Sequence, residues 1–426
     1  MKKEFFAANR SKLFRKIEGD FILVAFSGLP QRRSADDDYD FSVNRDFYYL
    51  TGIQFKDIVY LAVRKEGKFS ETVYAPAVDY MTERWRGRML HPEEIESISG
   101  VGEHKLREEF MADFWKAAAP GNIPVWLDMD PPESWQAKEL PQLFEERIKA
   151  DCPKLKTENY FPLMQQLRAF KEPEEVENIR KAISLTEKGI RQILKSACPG
   201  IYEYNLRAEF EKVLADNGCH TPAFATIIGA GKNSLCLHYH EEDSVIKAED
   251  AILLDLGAQF DTHCADISRM LPATGTFTER QRKLTQLACD TIDYVVENAK
   301  PGIDLKGLNA MQDEFLFPRL NEMGLVCETI EDVPKKYRWH NISHHLGLDT
   351  HDSCGRSAPM DVGSVFTLEV GIYVEDWGEG VRVEDDAYMT ESGIENLSEQ
   401  IPRTPDEIEM AMGRRNIIWN MKKFLK

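Results

Sequence analysis

No stretch of this 426-residue chain is apolar for long enough to cross a membrane, and MKKEFFAANRSKLF at its start lacks the apolar run of a secretory signal. The eight cysteines are scattered, with no CxxC pair and no regular spacing. That pattern reads as reduced thiols in a cytoplasmic protein. Positive charge is in deficit: 53 Lys and Arg against 72 Asp and Glu leave a formal charge of −19. Such a surface repels phosphate backbones, so nucleic acid is not an expected partner, and without a spanning apolar stretch neither is a membrane. No internal repeat and no low-complexity tract stands out. Familiar catalytic signatures are missing as well. GAGKNS at 229–234 lacks the GxxxxGK[ST] spacing of a phosphate loop, and neither an HEExH-type zinc motif nor a GxSxG elbow occurs. A serine or cysteine nucleophile is therefore unsupported.

What is present reads as two α/β (α+β) domains, the number expected for this length. Residues 10 to about 150 mix short strands (DFILVAF, DIVYLAV, ETVYAPA, VWLDM) with amphipathic helical stretches, the last near ESWQAKELPQLFEERIKA. A long helix then opens at Pro173 with acidic residues in its first turn. It spaces Val176, Ile179, Ile183, Ile190 and Ile193 along one face and stops at Pro199-Gly200. The domain change is placed near residue 170, giving domains 1–170 and 171–426. Further helices are expected around YEYNLRAEFEKVLADNG, from Glu279 to Lys300 and over DLKGLNAMQDEFLFPRL. Strands are expected near FATIIGAG and AILLDLGAQF and from Val365 to Met389.

Within the second domain, five oxygen and nitrogen donors stand in order: Asp255, Asp266, His344, Glu369 and Glu384. Four lie in segments that read as strands, where a carboxylate among apolar residues needs a compensating cation. If 251–260 and 262–269 pair around Phe260-Asp261, Asp255 and Asp266 fall roughly opposite each other, about 4.5–5.5 Å apart at Cβ. VFTLEVGIYVED and GVRVEDDAYMT flank the turn DWGEG, so Glu369 and Glu384 can face each other in the same way. Two carboxylates that close repel unless a cation lies between them or one takes up a proton. Asp261 reads as a turn residue, and Asp385 as a structural or supporting group on the opposite face of its strand. Cys264 reads as core packing rather than a soft ligand. HNISHHLGLDTHD holds His340, His344, His345 and His351 within twelve residues, a density that points to a site rather than to separate structural histidines. His238 and His240 in CLHYHEE read either as two ligands or as the two faces of a strand. Four carboxylates with one imidazole suit divalent ions such as Mn²⁺ and could hold two.

These motifs carry a resemblance. DLGAQFDTHCAD, SHHLGLDTHD, TLEVGIY and VRVEDD are similar, in order and spacing, to those of the pita-bread metallopeptidases, and most of all of the aminopeptidase P (Xaa-Pro aminopeptidase) family. NRDFYYLTGI at 44–53 and ERWRGRML at 83–90 resemble that family's creatinase-like N-terminal domain. The resemblance implies an N-terminal α/β domain ahead of a pita-bread catalytic domain. It implies that Asp266 and Glu384 bridge two metals, with Asp255 completing one shell and His344 and Glu369 the other. It assigns His238 and His351 to the substrate pocket, and sets His340, Tyr373 and Arg382 beside the site. Mn²⁺ is the ion it implies, with Co²⁺ or Zn²⁺ as substitutes. The chain departs from the family where Val370 replaces the usual proline of EPG, where His345 stands in place of an aromatic residue, and where Asn341 stands in place of glycine. No ligand is lost, so these changes bear on substrate preference.

The implied reaction is hydrolysis of the N-terminal Xaa-Pro bond of peptides. Two metals sharing a water lower its pKa, the shared hydroxide attacks, and Glu369 shuttles the proton to the proline nitrogen. A prolidase restricted to Xaa-Pro dipeptides would use the same ligands, and a non-catalytic binding relative would have lost some of them. The family also implies a homodimer or homotetramer in which Trp85 of ERWRGRML borders another subunit's site; Trp85 reads equally as a core or interdomain aromatic.

Overall fold

A computed structural model of the chain describes residues 1–119, 121–130, 137–354 and 358–413. The chain forms two compact units, Met1–Leu167 and Arg168–Lys426.

The first unit is organised by β1 (Phe21–Phe26), whose six residues are all buried. A strand buried on both faces belongs at the centre of a sheet. β1 pairs antiparallel with β2 (Val59–Lys65), which pairs with β3 (Lys68–Ala75), and β3 pairs parallel with β4 (His104–Leu106). On its other edge β1 runs parallel to β5 (Val125–Leu127), which pairs with β6 (Thr157–Asn159). Phe26, Phe110, Phe114 and Phe144 interlock beside the sheet with ring centroids 4.9–6.2 Å apart. The helix expected over 133–150 is the helix Leu140–Asp151; residues 133–136 of that stretch lie outside the described residues. Trp85 belongs to a short helix, Tyr80–Arg86, that has no buried residue, and it is 81% exposed. Its reading as a core aromatic is therefore wrong.

In the second unit the helix Pro173–Ser196 starts where Glu175 accepts the Glu172 N–H at 3.0 Å, satisfying a donor that the first turn leaves open. Val176, Ile179, Ile183, Ile190 and Ile193 are all buried. The helices Glu203–Asp216 and Leu305–Glu322 follow the expected segments. The helix Glu279–Asn298 ends before Lys300, because Pro301 disfavours helical backbone at the residue preceding it.

Two antiparallel sheets carry the acidic segments. The first orders β7 (Ile227–Ala230), β8 (Ala251–Leu256) and β11 (Ile267–Pro272) with β8 central. Between β8 and β11 the hairpin continues as β9 (Gln259–Phe260) and β10 (His263–Cys264) and turns over Asp261 and Thr262, at φ 47° and 66°. Two successive positive φ values are what a two-residue hairpin loop needs to match strand twist. Centring the turn there sets Asp255 opposite Ser268, not opposite Asp266 as the sequence suggests. The offset is two residues. An even slip keeps a side chain on its face of the ladder, whereas an odd one would reverse it. The second sheet orders β12 (Val365–Val374), β13 (Glu379–Thr390) and β14 (Gly393–Asn396), and sets Glu369 directly opposite Glu384. Ile183, Leu254, Leu284, Val370 and Val383 belong to one continuous apolar cluster, so both hairpins are held by the same core.

Candidate functional site

Strand ladders hold the acidic groups in place. Asp255 is on β8, Glu369 on β12 and Glu384 on β13, with Asp266 immediately before β11. The histidine-rich segment runs beside β12: Thr367 N–H donates to the His344 carbonyl at 2.9 Å, and Glu369 N–H to the Ile342 carbonyl at 2.7 Å. His238, Asp255, Asp266, His340, His344, His345, His351, Glu369, Arg382 and Glu384 all line one cavity of about 590 Å³. That volume is ordinary for a small-molecule or short-peptide site.

Asp266, His344 and Glu384 come closest together, each offering an atom within 4.8 Å of the others. His344 Nε2 lies 3.4 Å from Asp266 Oδ2 and 3.9 Å from Glu384 Oε1. Asp255 Oδ1, Asp266 Oδ1 and Glu384 Oε1 are buried without a hydrogen-bond donor. Orphaned carboxylate oxygens are costly unless a cation meets them. Hard oxygens with one imidazole suit a divalent ion, so the residues present fit a metal. The titration behaviour agrees. Burial and then neighbouring carboxylates push Asp266 and Glu384 well above the usual carboxylate range, and burial pushes Glu369 up to about 7 against the pull of His344 and Arg382.

Asp255 and Glu369 stand slightly apart from that trio, each with a partner of its own. Arg382 Nη2 donates to Asp255 Oδ2 at 2.7 Å, and His340 Nδ1 lies 3.6 Å from Glu369 Oε2. Arg382 also donates to Tyr373 Oη at 3.1 Å and to Ser268 Oγ at 3.1 Å, and Ser268 in turn donates to Glu384 at 2.8 Å. His340 Nε2 lies 2.8 Å from Tyr373 Oη. One buried guanidinium thus balances the carboxylates and fixes the orientation of two of them. A Cβ at Gly371 would overlap His340 Nε2 and Tyr373, so that glycine keeps the network closed. Ser268 was missed by sequence reasoning; its one signal is its position two residues after Asp266. Trp339, stacked on Tyr373 at 4.7 Å, was missed too.

His351 meets His344 with ring centroids 4.2 Å apart. Burial, then His344 and His238, lower His351 to about 4; burial, then Arg382, does the same to His340. Both imidazoles are therefore neutral near pH 7 and can donate an N–H without carrying charge. His238 and His240 lie on an irregular segment rather than a strand, and only His238 lines the cavity. Asp385 points away, as strand alternation requires, and pairs with fully buried Arg269 at 2.7 Å. Cys264 is buried outside the acidic trio.

Residues 177–391 match the model of metallopeptidase family M24, and residues 6–123 match the aminopeptidase P N-terminal domain. The chain is similar to the Xaa-Pro aminopeptidase of Escherichia coli, 25% identical over 96% of this chain and 98% of that one. It is 28% identical to Xaa-Pro aminopeptidase 3 of Homo sapiens over 92% of this chain and 80% of that one. A solved Bacillus anthracis structure, described as a candidate aminopeptidase P, superposes with a TM-score of 0.94 at 35% identity, covering 98% of this chain and 100% of its own. Zinc-substituted Escherichia coli aminopeptidase P in complex with product shares the fold, with a TM-score of 0.88 at 24% identity over 97% and 99% of the two chains. The N-terminal α/β domain and C-terminal pita-bread domain expected from the motifs are the architecture found. A divalent metal is the cofactor that family and acidic trio together support. The chain belongs to metallopeptidase family M24, with an aminopeptidase P N-terminal domain ahead of its peptidase domain.

Proposed function

We propose that this metallo-aminopeptidase hydrolyses the bond between the first residue of a peptide and a proline in second position, using two divalent ions, with Mn²⁺ the natural pair. The observation that carries the reading is the meeting in one cavity of orphaned Asp255, Asp266 and Glu384 oxygens with His344 and with neutral His351. The relatives' activity supports the substrate class. Asp266 and Glu384 would bridge the ions, Asp255 would complete one shell, and His344 and Glu369 the other. Bound there, the ions supply a Lewis acid for the scissile carbonyl and bring the pKa of a shared water toward neutrality.

The chain's own residues account for the rest. Glu369 takes a proton from the attacking water and passes it to the proline nitrogen, which as a tertiary amide nitrogen leaves poorly unless protonated. His351 and His238 donate to the carbonyl oxygen as charge develops on it. Arg382 holds Asp255 in its orientation, and Tyr373 links Arg382 to His340. The acidic wall attracts the substrate's free amine, which confines cleavage to the N-terminus.

Exposed Trp85, with Tyr80 and Met81 also exposed on its helix, supports a homodimer or homotetramer in which this helix borders another subunit. All eight cysteines remain as thiols, which supports a reducing cytoplasmic setting, and among the described residues no helix is long and apolar enough to cross a membrane. The test is turnover of a Xaa-Pro-Xaa tripeptide against a Xaa-Pro dipeptide in Mn²⁺. The tripeptide is expected to be cleaved at its first bond. Turnover of the dipeptide alone would replace this reading with a prolidase.

A further inference from the structure

Next to His351 in sequence stands Asp352, whose side chain is 1% exposed. Its two oxygens take two different cations: Arg168 Nη2 donates to Oδ1, and Lys171 Nζ donates to Oδ2 at 2.8 Å. Arg168 also donates to Asp349 Oδ2 at 2.6 Å, and Lys171 Nζ to the Arg168 carbonyl at 2.8 Å. Arg168 and Lys171 are 4% and 6% exposed, so their grip on Asp352 is closed to water, and with Asp349 the cluster balances two charges of each sign. Burial opposes the Asp352 charge, yet Arg168 and Lys171 hold its carboxyl well below the usual range.

Backbone contacts tie the cluster to the cavity wall. Asp352 N–H donates to the His345 carbonyl at 2.9 Å, so the chain from His344 to Asp352 returns on itself and brings the His351 ring against that of His344. Lys171 N–H donates to the Gly363 carbonyl at 2.8 Å, and Cys264 N–H to the Gly347 carbonyl at 2.8 Å. Gly347 is required inside this turn: a Cβ there would overlap Asp352 Oδ2 and crowd Lys171 Cε at 2.9 Å. A buried ion cluster of this kind contributes little net stability compared with apolar groups of the same volume. What it does provide is a single fixed position for the carboxylate, and through it for the adjoining histidine.

We propose that Arg168 and Lys171 are positioning residues of the reaction: gripping Asp352 from both sides, they hold His351 at the place where it meets the substrate carbonyl. The inference rests on the aminopeptidase reading above and on His351 as a carbonyl donor. It adds a function for three residues that neither touch the substrate nor sit among the proposed metal ligands.

A double-mutant cycle tests it, with the Mn²⁺-loaded protein and a Xaa-Pro-Xaa tripeptide as substrate. Asp352→Asn keeps the shape of the side chain and weakens its hold on both cations. It is expected to lower kcat about 10–100-fold, the usual cost of losing an orienting partner, with KM and calorimetric Mn²⁺ affinity unchanged. In a His351→Ala background the same change should have almost no further effect, because its target is gone. Losses that multiply in the two backgrounds, or a weakened Mn²⁺ affinity that accounts for the fall in kcat, would overturn the proposal. If Asp352→Asn does not fold by circular dichroism, Arg168→Lys enters the same cycle under the same criteria. A wild-type protein that cleaves no Xaa-Pro bond would count against the function itself rather than against the clamp.

Discussion

Arg382 is the residue whose loss reaches furthest, since Asp255, Tyr373 and Ser268 all depend on it. Arg382→Lys keeps the charge but cannot span three partners with a fork-shaped donor set. We expect about 10–100-fold lower kcat/KM and weaker metal binding in steady-state kinetics and calorimetry; unchanged values would remove Arg382 from the site's support. Tyr373→Phe leaves Arg382 and His340 each short of one partner, and a smaller loss is expected on the same assays. Of the five proposed ligands, the four carboxylates stood out because a carboxylate inside an apolar strand pattern calls for a cation to meet it, while His344 stood out through the density of histidines around it. The Arg382–Ser268–Glu384 chain was not. Its members come from β11 and β13, and no spacing along the chain reveals that they touch. The same holds for Asp352, which is 184 residues from Arg168.

At the scale of elements, the hairpins divide into one that was readable and one that was off by two. Glu369 and Glu384 flank a short turn whose centre is obvious, and they do face each other. Asp255 and Asp266 flank a longer hairpin, whose turn at Asp261 and Thr262 lies further along the chain than the mid-point of the pair. Threonine is poorly suited to φ 66°, since a branched Cβ crowds the backbone there. Thr262→Gly is therefore expected to raise stability by about 1 kcal/mol in urea unfolding, the relief of strain exceeding the entropy cost of glycine. A destabilised variant would show that the turn is held by something other than backbone preference. For the helix Pro173–Ser196 the apolar spacing was sufficient. Ile183, completely buried, should cost about 2–5 kcal/mol when truncated to alanine, measured in the same way.

Across the whole molecule, the acidic cluster makes stability depend on metal and pH together. In the metal-free protein Glu369 titrates near 7, and Asp266 and Glu384 higher than usual, so the folded state holds protons that the unfolded state has lost. Stability then falls as pH rises through those values. His340 and His351 act in the opposite sense, their pKa values near 4 removing stability as pH falls below about 6.5. The two effects oppose each other below that point, and the carboxylates act alone above it. Between pH 6.5 and 8 the metal-free protein should lose Tm while Mn²⁺ restores it, by more at pH 8 than at pH 6.5, because the ions replace protons. Scanning calorimetry with and without metal checks this, and a metal effect that shrinks with rising pH would contradict it. Net charge does not show which acidic residues face a cation; the fold brings Asp266, His344 and Glu384 within reach of one ion.

The proposed chemistry requires the five donors to form one dinuclear centre. Mn²⁺ titrated calorimetrically into the metal-stripped protein, with release of the N-terminal residue from a Xaa-Pro-Xaa peptide followed at each point, measures this directly. Two ions per chain are expected, with turnover rising as they bind and both signals lost in Glu384→Ala. One ion or none at saturation, or full turnover by Glu384→Ala, would contradict it.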